Sequence, residues 1–546
     1  MKIKEILISN WRSIKSVKIT FEDLMIFIGQ NNHGKSNILT SILFFFGEIK
    51  HEDLDFHHGS DELFVEITFS DLDDRDKITF EKYLTVSKEI KVRKTAYLAG
   101  NFEYHGYLQM PEQEWLKEEN AGVYTKRATA ETLEFYEDLP GKGKISKEAI
   151  TNAQKQYIEK NRNSLNFSYM LESTHFLGLK TVAQGIFGQV YFMQAVKNAS
   201  EDFLAKGTST FSKLYSNVIE KMSVENPDWN TTKEKLSSLF GLLNKYDENG
   251  ELNNQRPEEL TKFEQRLSTQ LEKWGAQIDV EILAPNIDEV FRANTQVWVN
   301  DGVKTDIHRK GHGLQRALTY ALINVISDTL REERENIDEN QKQSSRKASN
   351  STYFILEEPE IYLHPQAQRS LFNSLVELSR SGNQVMLCTH SSSFIALKWY
   401  KSICIVKKDE LETGTVVCQC QEELFDGDKK KDFNLSYWIN PDRGELFFAK
   451  KVLLLEGPTD KTIIPYLAKK LDVFKHDYTT IDCGSKDTIP TYIKLLNKFS
   501  IPYVAVYDID HQSWKDINGK NSADISTKKI IEQIQSPLGT SISMEN

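Results

Sequence analysis

The run Gly29-Gln-Asn-Asn-His-Gly34-Lys35-Ser36 constrains this chain more than any other stretch. Two glycines with four residues between them, then Lys and Ser, make a phosphate-loop pattern. It stands where such a loop must, between the apolar run Met25–Ile28 and a helical pattern from Lys35 through the Phe44–Phe46 cluster. The glycines let backbone amides wrap a phosphate, and the helix start adds positive dipole. Lys35 neutralises the β and γ oxygens and the Ser36 hydroxyl ligates Mg²⁺, with ATP as the expected ligand. Gly29, Asn32, Gly34, Lys35, Ser36 and Asn37 are the candidate nucleotide-binding residues of this loop.

The flanking pattern predicts an α/β fold. Ile6 and Ile8, then Val17, Ile19 and Phe21, alternate as strands, and residues 63–69 and 89–105 read as strands of an antiparallel meander augmenting the sheet. Residues 130–275 are rich in Glu, Lys, Leu and Gln, with helical spacing at Leu236, Leu239, Leu242 and Leu243, and no heptad is sustained. Strand-like segments return at 277–283 and 295–307, and Gly311 opens another helix. Arg331–Thr352 is almost without apolar residues and reads as a disordered loop. Beyond it, buried strands Tyr353–Leu356, Gln384–Cys388 and Ser402–Val406 alternate with helices, as in a parallel sheet. A second α/β unit starts near Leu446 with the strand Val452–Leu455.

A length of 546 residues suggests three or four domains, at roughly 150 residues each. The 68 Lys and Arg against 79 Asp and Glu give a net charge of −11, the wrong sign for coating nucleic acid by bulk attraction. Any nucleic-acid contact must be local. The longest apolar stretch, Ile38–Phe46, is far short of the roughly 20 residues that span a bilayer, and the N-terminus lacks a secretion pattern, so no membrane partner and a cytoplasmic location are expected. Five cysteines without a CxxC pair read as reduced core thiols.

Hydrolysis at the phosphate loop needs acids on a second strand, and Phe354-Ile-Leu-Glu357-Glu358-Pro-Glu360 supplies them. Glu357 would hold Mg²⁺ or its water, and Glu358, at a strand end expected beside the phosphate loop, would orient or deprotonate the attacking water. His390, closing the strand of Val385–Cys388, can reach a γ-phosphate. Near the C-terminus, Leu455-Glu456-Gly457-Pro-Thr-Asp460 places carboxylates at a strand end, and Tyr507-Asp508-Ile-Asp510 ends a second strand. Period two puts Asp508 and Asp510 on one side, and the four acids make an oxygen cage suited to Mg²⁺ or Mn²⁺. Ser485 and Lys486 lie on the loop between these strands, a phosphate contact or a solvated turn.

The wide separation of phosphate loop and acidic strand, the His390 position and the segment Arg309–Arg316 together resemble an ABC-type ATPase of the SMC and RecF kind. That resemblance implies that Gly311, Gly313 and Gln315 face nucleotide bound to a second protomer, hence a homodimer or higher homo-oligomer. The Glu456-Gly457 and Asp508-x-Asp510 pair resembles the Toprim fold of topoisomerases, primases and recombination nucleases. An ABC-type ATPase with a helical insertion and a C-terminal Toprim domain resembles the OLD (overcoming lysogenization defect) nuclease family, which includes the nuclease subunit of Gabija defence and some retron-associated effectors. The resemblance runs through Asn10–Arg12, Gly29–Ser36, Gly311–Arg316, Glu357–Pro365, His390 and Glu456–Asp510.

It implies four parts: 1–130, the ATPase half with the phosphate loop; 131–275, a helical insertion for dimerisation; 276–440, the ATPase half with the acidic strand and His390; and 441–546, the Toprim nuclease domain. The implied activity is an ATP-regulated, Mg²⁺-dependent DNA endonuclease in anti-phage defence, with a helicase or a reverse transcriptase as a possible partner. Two metals would sit on Glu456, Asp460, Asp508 and Asp510, with Glu456 a candidate base. Only 36 residues follow Asp510, and the one basic pair among them, Lys528 and Lys529, is not assigned. Lys88, Lys91, Arg93 and Lys94, and Lys429–Lys431, are the basic candidates for DNA contact or for a solvated face. The rival reading is a non-cleaving, ATP-driven DNA clamp. Topoisomerase and primase readings are disfavoured, since no companion domain with an identifiable nucleophilic Tyr is apparent for the first and the usual zinc-ribbon cysteines are missing for the second.

Overall fold

The computed structural model describes residues 1–98, 100–140, 145–161, 164–172, 174–178, 185–194, 227–246, 253, 256–271, 278, 280, 297–335, 349, 351–408, 414–423, 443–511 and 521–544. Lys429–Lys431, and all but Ile278 and Val280 of the strand expected over 277–283, lie outside them.

Chain segments 1–195 and 336–546 form one compact unit, and Val196–Glu335 form another. The larger unit opens with β1 (Lys2–Trp11), β2 (Ile14–Thr20) and β3 (Leu24–Ile28), then α1 (Lys35–Phe46), β4 (Glu62–Ser70), β5 (Ile90–Tyr97) and β6 (Phe102–Pro111). After α2 (Lys147–Lys160) come β7 (Phe167–Leu171) and β8 (Gln189–Met193). The antiparallel strands form a separate six-stranded sheet, β2-β1-β4-β5-β6-β7, rather than extending the sheet that carries the phosphate loop. Its strands alternate, Leu63, Val65, Ile67 and Phe69 of β4 turning inward, as an antiparallel sheet with one wet face requires.

β3 is different: all five of its residues are buried, which a strand covered on both faces demands. It lies in a second six-stranded sheet, β14-β13-β3-β12-β11-β8. The added strands are β11 (Thr352–Glu357), β12 (Gln384–Cys388), β13 (Ile403–Lys408) and β14 (Thr415–Gln419), parallel except for the β13–β14 pair. One core joins the inner face of the antiparallel sheet, α1 and the near face of the parallel sheet, with Trp11, Phe44, Phe45, Phe69, Met25, Phe27, Ile355 and Met386 among its members. Buried Gln384 stitches the sheets, its amide nitrogen donating to the Ile3 carbonyl at 2.7 Å and its oxygen accepting from the Ile3 N–H at 2.6 Å.

The range 131–275, read as helical, contributes two strands: β7 extends the antiparallel sheet and β8 the parallel one. Both are five-residue apolar runs whose pairing is set by distant strands. The second unit carries α3 (Pro227–Leu243), α4 (Glu258–Leu271), a hairpin of β9 (Trp298–Asn300) and β10 (Lys304–Asp306), and α5 (His312–Glu335). Gly311–Arg316, assigned from sequence to the ATPase half, belong to this unit. Both ends of the loop expected over 331–352 are ordered: residues 331–335 continue α5, and Thr352 opens β11.

Beyond α6 (Pro365–Arg380), the chain ends in a four-stranded parallel sheet of order β16-β15-β17-β18. Its elements are β15 (Lys451–Leu455), α7 (Pro458–Lys470), β16 (Tyr478–Asp482), α8 (Ile489–Lys498), β17 (Tyr503–Asp508), α9 (Ser522–Gln533) and β18 (Gly539–Met544). All five cysteines are free thiols, four of them buried. No described helix is long and apolar enough to cross a membrane.

Candidate active sites

The first site forms where β3, β12 and β11 end together. Strand order puts β12 between the other two, so the acidic strand is one place removed from the phosphate loop rather than beside it, and the chain after β12 fills the gap with His390. Gly29, at φ +148, lies against the Val406 carbonyl of β13, and Gly34 takes the left-handed conformation at φ +102. A cavity of 560 Å³ opens there, lined by Asn31, Asn32, Gly34, Lys35, Ser36, Asn37, Glu358 and His390. That cradle fits a nucleoside polyphosphate: a Cβ at Gly34 would strike the Thr415 side chain, and the start of α1 faces the space. Lys35 is 5% exposed and its Nζ donates to the carbonyls of Gly29 and Gln30, both at 3.0 Å. Burial lowers its pKa, and the charges of Glu357, Glu358 and Glu360 oppose that fall.

Glu357 ends β11, and Glu358 follows with φ +44, its N–H on the Cys388 carbonyl at 2.9 Å. Its Oε1 stands 3.6 Å from His390 Nε2. Burial, with the Lys35 charge, depresses His390 to about 4, so the imidazole is neutral at pH 7. Glu360, quoted in the acidic run without a role, accepts the His390 N–H on Oε1 at 2.6 Å, while its Oε2 is buried without a partner. It ties the acidic turn to the His390 segment. Asn37 turns elsewhere: its Nδ2 donates to Ser13 Oγ at 2.8 Å and its Oδ1 accepts from Arg12 at 3.4 Å. Arg12 in turn donates to Asp55 at 2.7 Å, which places the Asn10–Arg12 motif against α1.

In the second unit, Gly311 precedes α5 and open space surrounds its Cα. Gln315, expected to face nucleotide, is instead 3% exposed, with Nε2 donating to the carbonyls of Ile307 and Lys310, both at 2.9 Å. Gly313 is the second residue of α5.

The second site lies at the ends of the neighbouring strands β15 and β17, whose register pairs Leu455 with Val506. Glu456 follows β15, and its Oε2 accepts the Asp508 N–H at 3.2 Å. Burial, followed by the charges of Asp510 and Asp508, pushes the Glu456 carboxyl above its usual range. Asp510 lies beyond the strand at φ +54, so period two does not carry from Asp508 to it as the sequence suggested. Asp460 turns back on α7, its Oδ2 accepting the Gly457 N–H at 3.3 Å. Among the described residues no three His, Cys, Asp or Glu side chains are gathered to hold a metal ion. The donors are nonetheless all hard carboxylate oxygens. The donor chemistry fits a divalent ion. Lys486, 6% exposed, also reaches this strand end.

The early basic candidates are largely spoken for. Lys91 and Arg93 pair with buried Glu66 at 2.6 and 2.9 Å, and Lys94 is itself buried.

The fold and its two sites define a nucleotide hydrolase joined to a carboxylate-bearing Toprim unit. The chain belongs to the AAA ATPase domain family, which it matches over residues 1–395, and residues 447–510 match the overcoming lysogenization defect protein-like TOPRIM domain. It is similar to the Old nuclease of Escherichia phage P2, 26% identical over 86% of this chain and 70% of that protein. It is also similar to the endonuclease GajA of Bacillus cereus, 22% identical over 95% and 77%. A shorter match to the OLD nuclease of Thermus scotoductus is 33% identical over 29% of this chain and 30% of that protein. Among solved structures, the SMC head bound to the C-winged helix domain of ScpA matches at TM-score 0.36 and 13% identity, over 76% of this chain and 97% of that one. The chain therefore has the arrangement of an ATPase-linked nuclease.

Proposed function

We propose that this chain is an ATP-regulated, Mg²⁺-dependent DNA endonuclease acting in anti-phage defence. The observation that carries the reading is that Glu456 accepts the Asp508 N–H across adjacent parallel strand ends, within reach of the Asp508 and Asp510 charges, in a sheet separate from the one that carries the phosphate loop. The names of the phage P2 and Bacillus cereus relatives support the nuclease assignment. A divalent ion on Glu456, Asp508 and Asp510, with Asp460 at the rim, would supply Lewis acidity to the scissile phosphate, Mg²⁺ being the ion proposed and Mn²⁺ its substitute. Glu456, half-buried, accepts the proton of the attacking water.

In the ATPase, Lys35 would turn from the Gly29 and Gln30 carbonyls to the phosphates, and Ser36 and Glu357 would hold the Mg²⁺ that accompanies ATP. Glu358 orients the water, and neutral His390 hydrogen-bonds the γ-phosphate. Gly311 and Gly313 of a second copy close the site, while Gln315 keeps its own helix start rigid. Helical residues of 131–275 serve dimerisation. Support for regulation comes from a 290 Å³ cavity lined both by Gly29, Gln30 and His33 and by Phe447, Phe448, Ile501 and Pro502 of the Toprim unit. The carbonyls that Lys35 releases belong to that same lining.

The test is plasmid cleavage with Mg²⁺ and then EDTA, beside ATP turnover. Asp508→Ala with Asp510→Ala should abolish cutting and leave ATP turnover intact. Undiminished cutting by this double variant overturns the site, and a wild type that binds DNA but never cuts is the clamp.

A further inference from the structure

The sequence left open which basic residue serves the carboxylate site, and the pair after Asp510 is not placed to answer. Lys528 and Lys529 lie on α9, where Lys528 pairs with exposed Glu532 at 3.8 Å. Lys486 is placed differently. Its Nζ donates to the carbonyl of Asp508 and to that of Ile509, the latter at 2.8 Å, and it lies 5.4 Å above the Tyr507 ring. One ammonium thus touches three consecutive residues of the strand end that delivers Asp508 and Asp510.

The loop that brings Lys486 there is itself pinned. Gly484, at φ +79, donates to Asp482 Oδ1 at 2.8 Å, and the Thr488 hydroxyl donates to the carbonyls of Cys483 and Ser485. Asp487 accepts from Ser526 of α9. Such a lysine is 6% exposed because its position is built, whereas a solvated loop would leave it free. Asp510 needs that support: a non-glycine residue at φ +54 is strained and persists only where its surroundings hold it. With two N–H groups committed to main-chain carbonyls, the ammonium works on the protein before it works on a substrate.

We propose that Lys486 is the basic positioning residue of the carboxylate site, acting through the main chain of Asp508 and Ile509 to fix Asp508 and Asp510 against Glu456. The proposal rests on the metal-dependent nuclease reading above. It goes beyond that reading by assigning a cation on the loop that precedes the Asp508-x-Asp510 strand.

The test compares full-length wild type, Lys486→Met and Lys486→Gln, the glutamine keeping N–H donors without the charge. Mn²⁺ binding is titrated calorimetrically without DNA or nucleotide, plasmid cleavage gives kcat and KM, and DNA binding is followed by anisotropy in EDTA. ATP turnover and melting temperature report folding. Lys486→Met should weaken Mn²⁺ binding and lower kcat by about 10- to 100-fold, as loss of an outer-shell partner does, with KM, DNA binding in EDTA and ATP turnover unchanged. Lys486→Gln should fall between it and wild type, and decides the matter if the methionine variant does not fold. Wild-type Mn²⁺ affinity and kcat in the folded variants overturn the proposal. So does a loss confined to KM and to DNA binding in EDTA, which would make Lys486 a phosphate contact. A wild type that neither binds Mn²⁺ nor cuts overturns the nuclease reading itself, an outcome distinct from variants that match an active wild type.

Discussion

Replacing Lys94 by Met tests how the core beneath the phosphate-loop helix tolerates a charge. Lys94 is 2% exposed, and no carboxylate lies within ion-pair distance of it among the described residues. Its Nζ donates to the Phe44 carbonyl at 2.5 Å, near the C-terminus of α1, and stands 4.2, 4.5 and 4.9 Å from the rings of Phe44, Phe102 and Tyr104. Burial pulls its pKa from 10.5 down to about 7. That depression costs about 5 kcal/mol wherever both states are charged. The sign follows from proton counts. Below pH 7 folded and unfolded chains both hold the proton and the cost is complete; between pH 7 and 10.5 only the unfolded chain holds it, so stability rises with pH.

Methionine removes the charge and still fills the space. The depressed pKa is already net of the charged form's ring and hydrogen-bond contacts, so what stands against the relief is the neutral amine's own hydrogen bond, about 1 kcal/mol. The Phe44 carbonyl is not orphaned, because the Gly47 N–H already reaches it at 3.0 Å. Lys94→Met should therefore be about 4 kcal/mol more stable than wild type at pH 6.5. The advantage should shrink by about 1.4 kcal/mol per pH unit above 7 and vanish near pH 10. Urea midpoints by tryptophan fluorescence at five pH values, with equal m-values required, measure the difference. A difference that stays flat from pH 6.5 to 10 would refute the reasoning, and so would a methionine variant clearly less stable at pH 6.5.

Three more expectations concern the nucleotide site. Glu358→Gln should bind ATP normally while turnover falls about 10²- to 10⁴-fold; a turnover within tenfold of wild type would remove Glu358 from the chemistry. Because His390 is depressed to about 4, about one imidazole in a thousand is protonated at pH 7, and kcat/KM for ATP should show no histidine limb between pH 5.5 and 8. A limb near pH 6.5 that His390→Asn abolishes contradicts this. Gly29→Ala drives a methyl into the Val406 carbonyl at a left-handed backbone position, so it should cost about 1–3 kcal/mol or more and abolish binding of a fluorescent ATP analogue; normal binding would show that the β3–β13 contact yields freely.

Much of the fold was legible because burial leaves a direct imprint on composition. β3, β12 and β11 lie inside a covered parallel sheet and read as unbroken apolar runs, while β1 and β4 have one wet face and alternate. Strand order leaves no such imprint. Nothing local in Gln384–Cys388 says that it inserts between β3 and β11, and the acidic strand was accordingly placed one position too close to the phosphate loop. β7 and β8 were submerged in a stretch rich in Glu, Lys and Gln, since a five-residue strand shifts the average of a long helical window very little.

The sites divide along the same line. Glu456, Asp508 and Asp510 announce themselves because a carboxylate ending an apolar strand is an unusual thing to build, and strand pairing then brings the ends together at no further cost in sequence. Residues that act on the main chain give no such signal. Glu360 is one acid in a run of acids until its Oε1 is seen on the His390 N–H, and Lys486 is one of many lysines until its ammonium is seen on carbonyls 22 and 23 residues away. A side chain that serves another segment's carbonyl or N–H is chosen by tertiary geometry, and almost any polar residue of sufficient length reads the same in one dimension. Gln315 shows the converse: its place in a glycine-bearing helix start looked like an offer to nucleotide, and its amide nitrogen is already committed to the carbonyls of Ile307 and Lys310. Chemistry-bearing ends of strands can thus be inferred from order and spacing, whereas the polar groups that hold them in register must be found by asking where each buried donor goes.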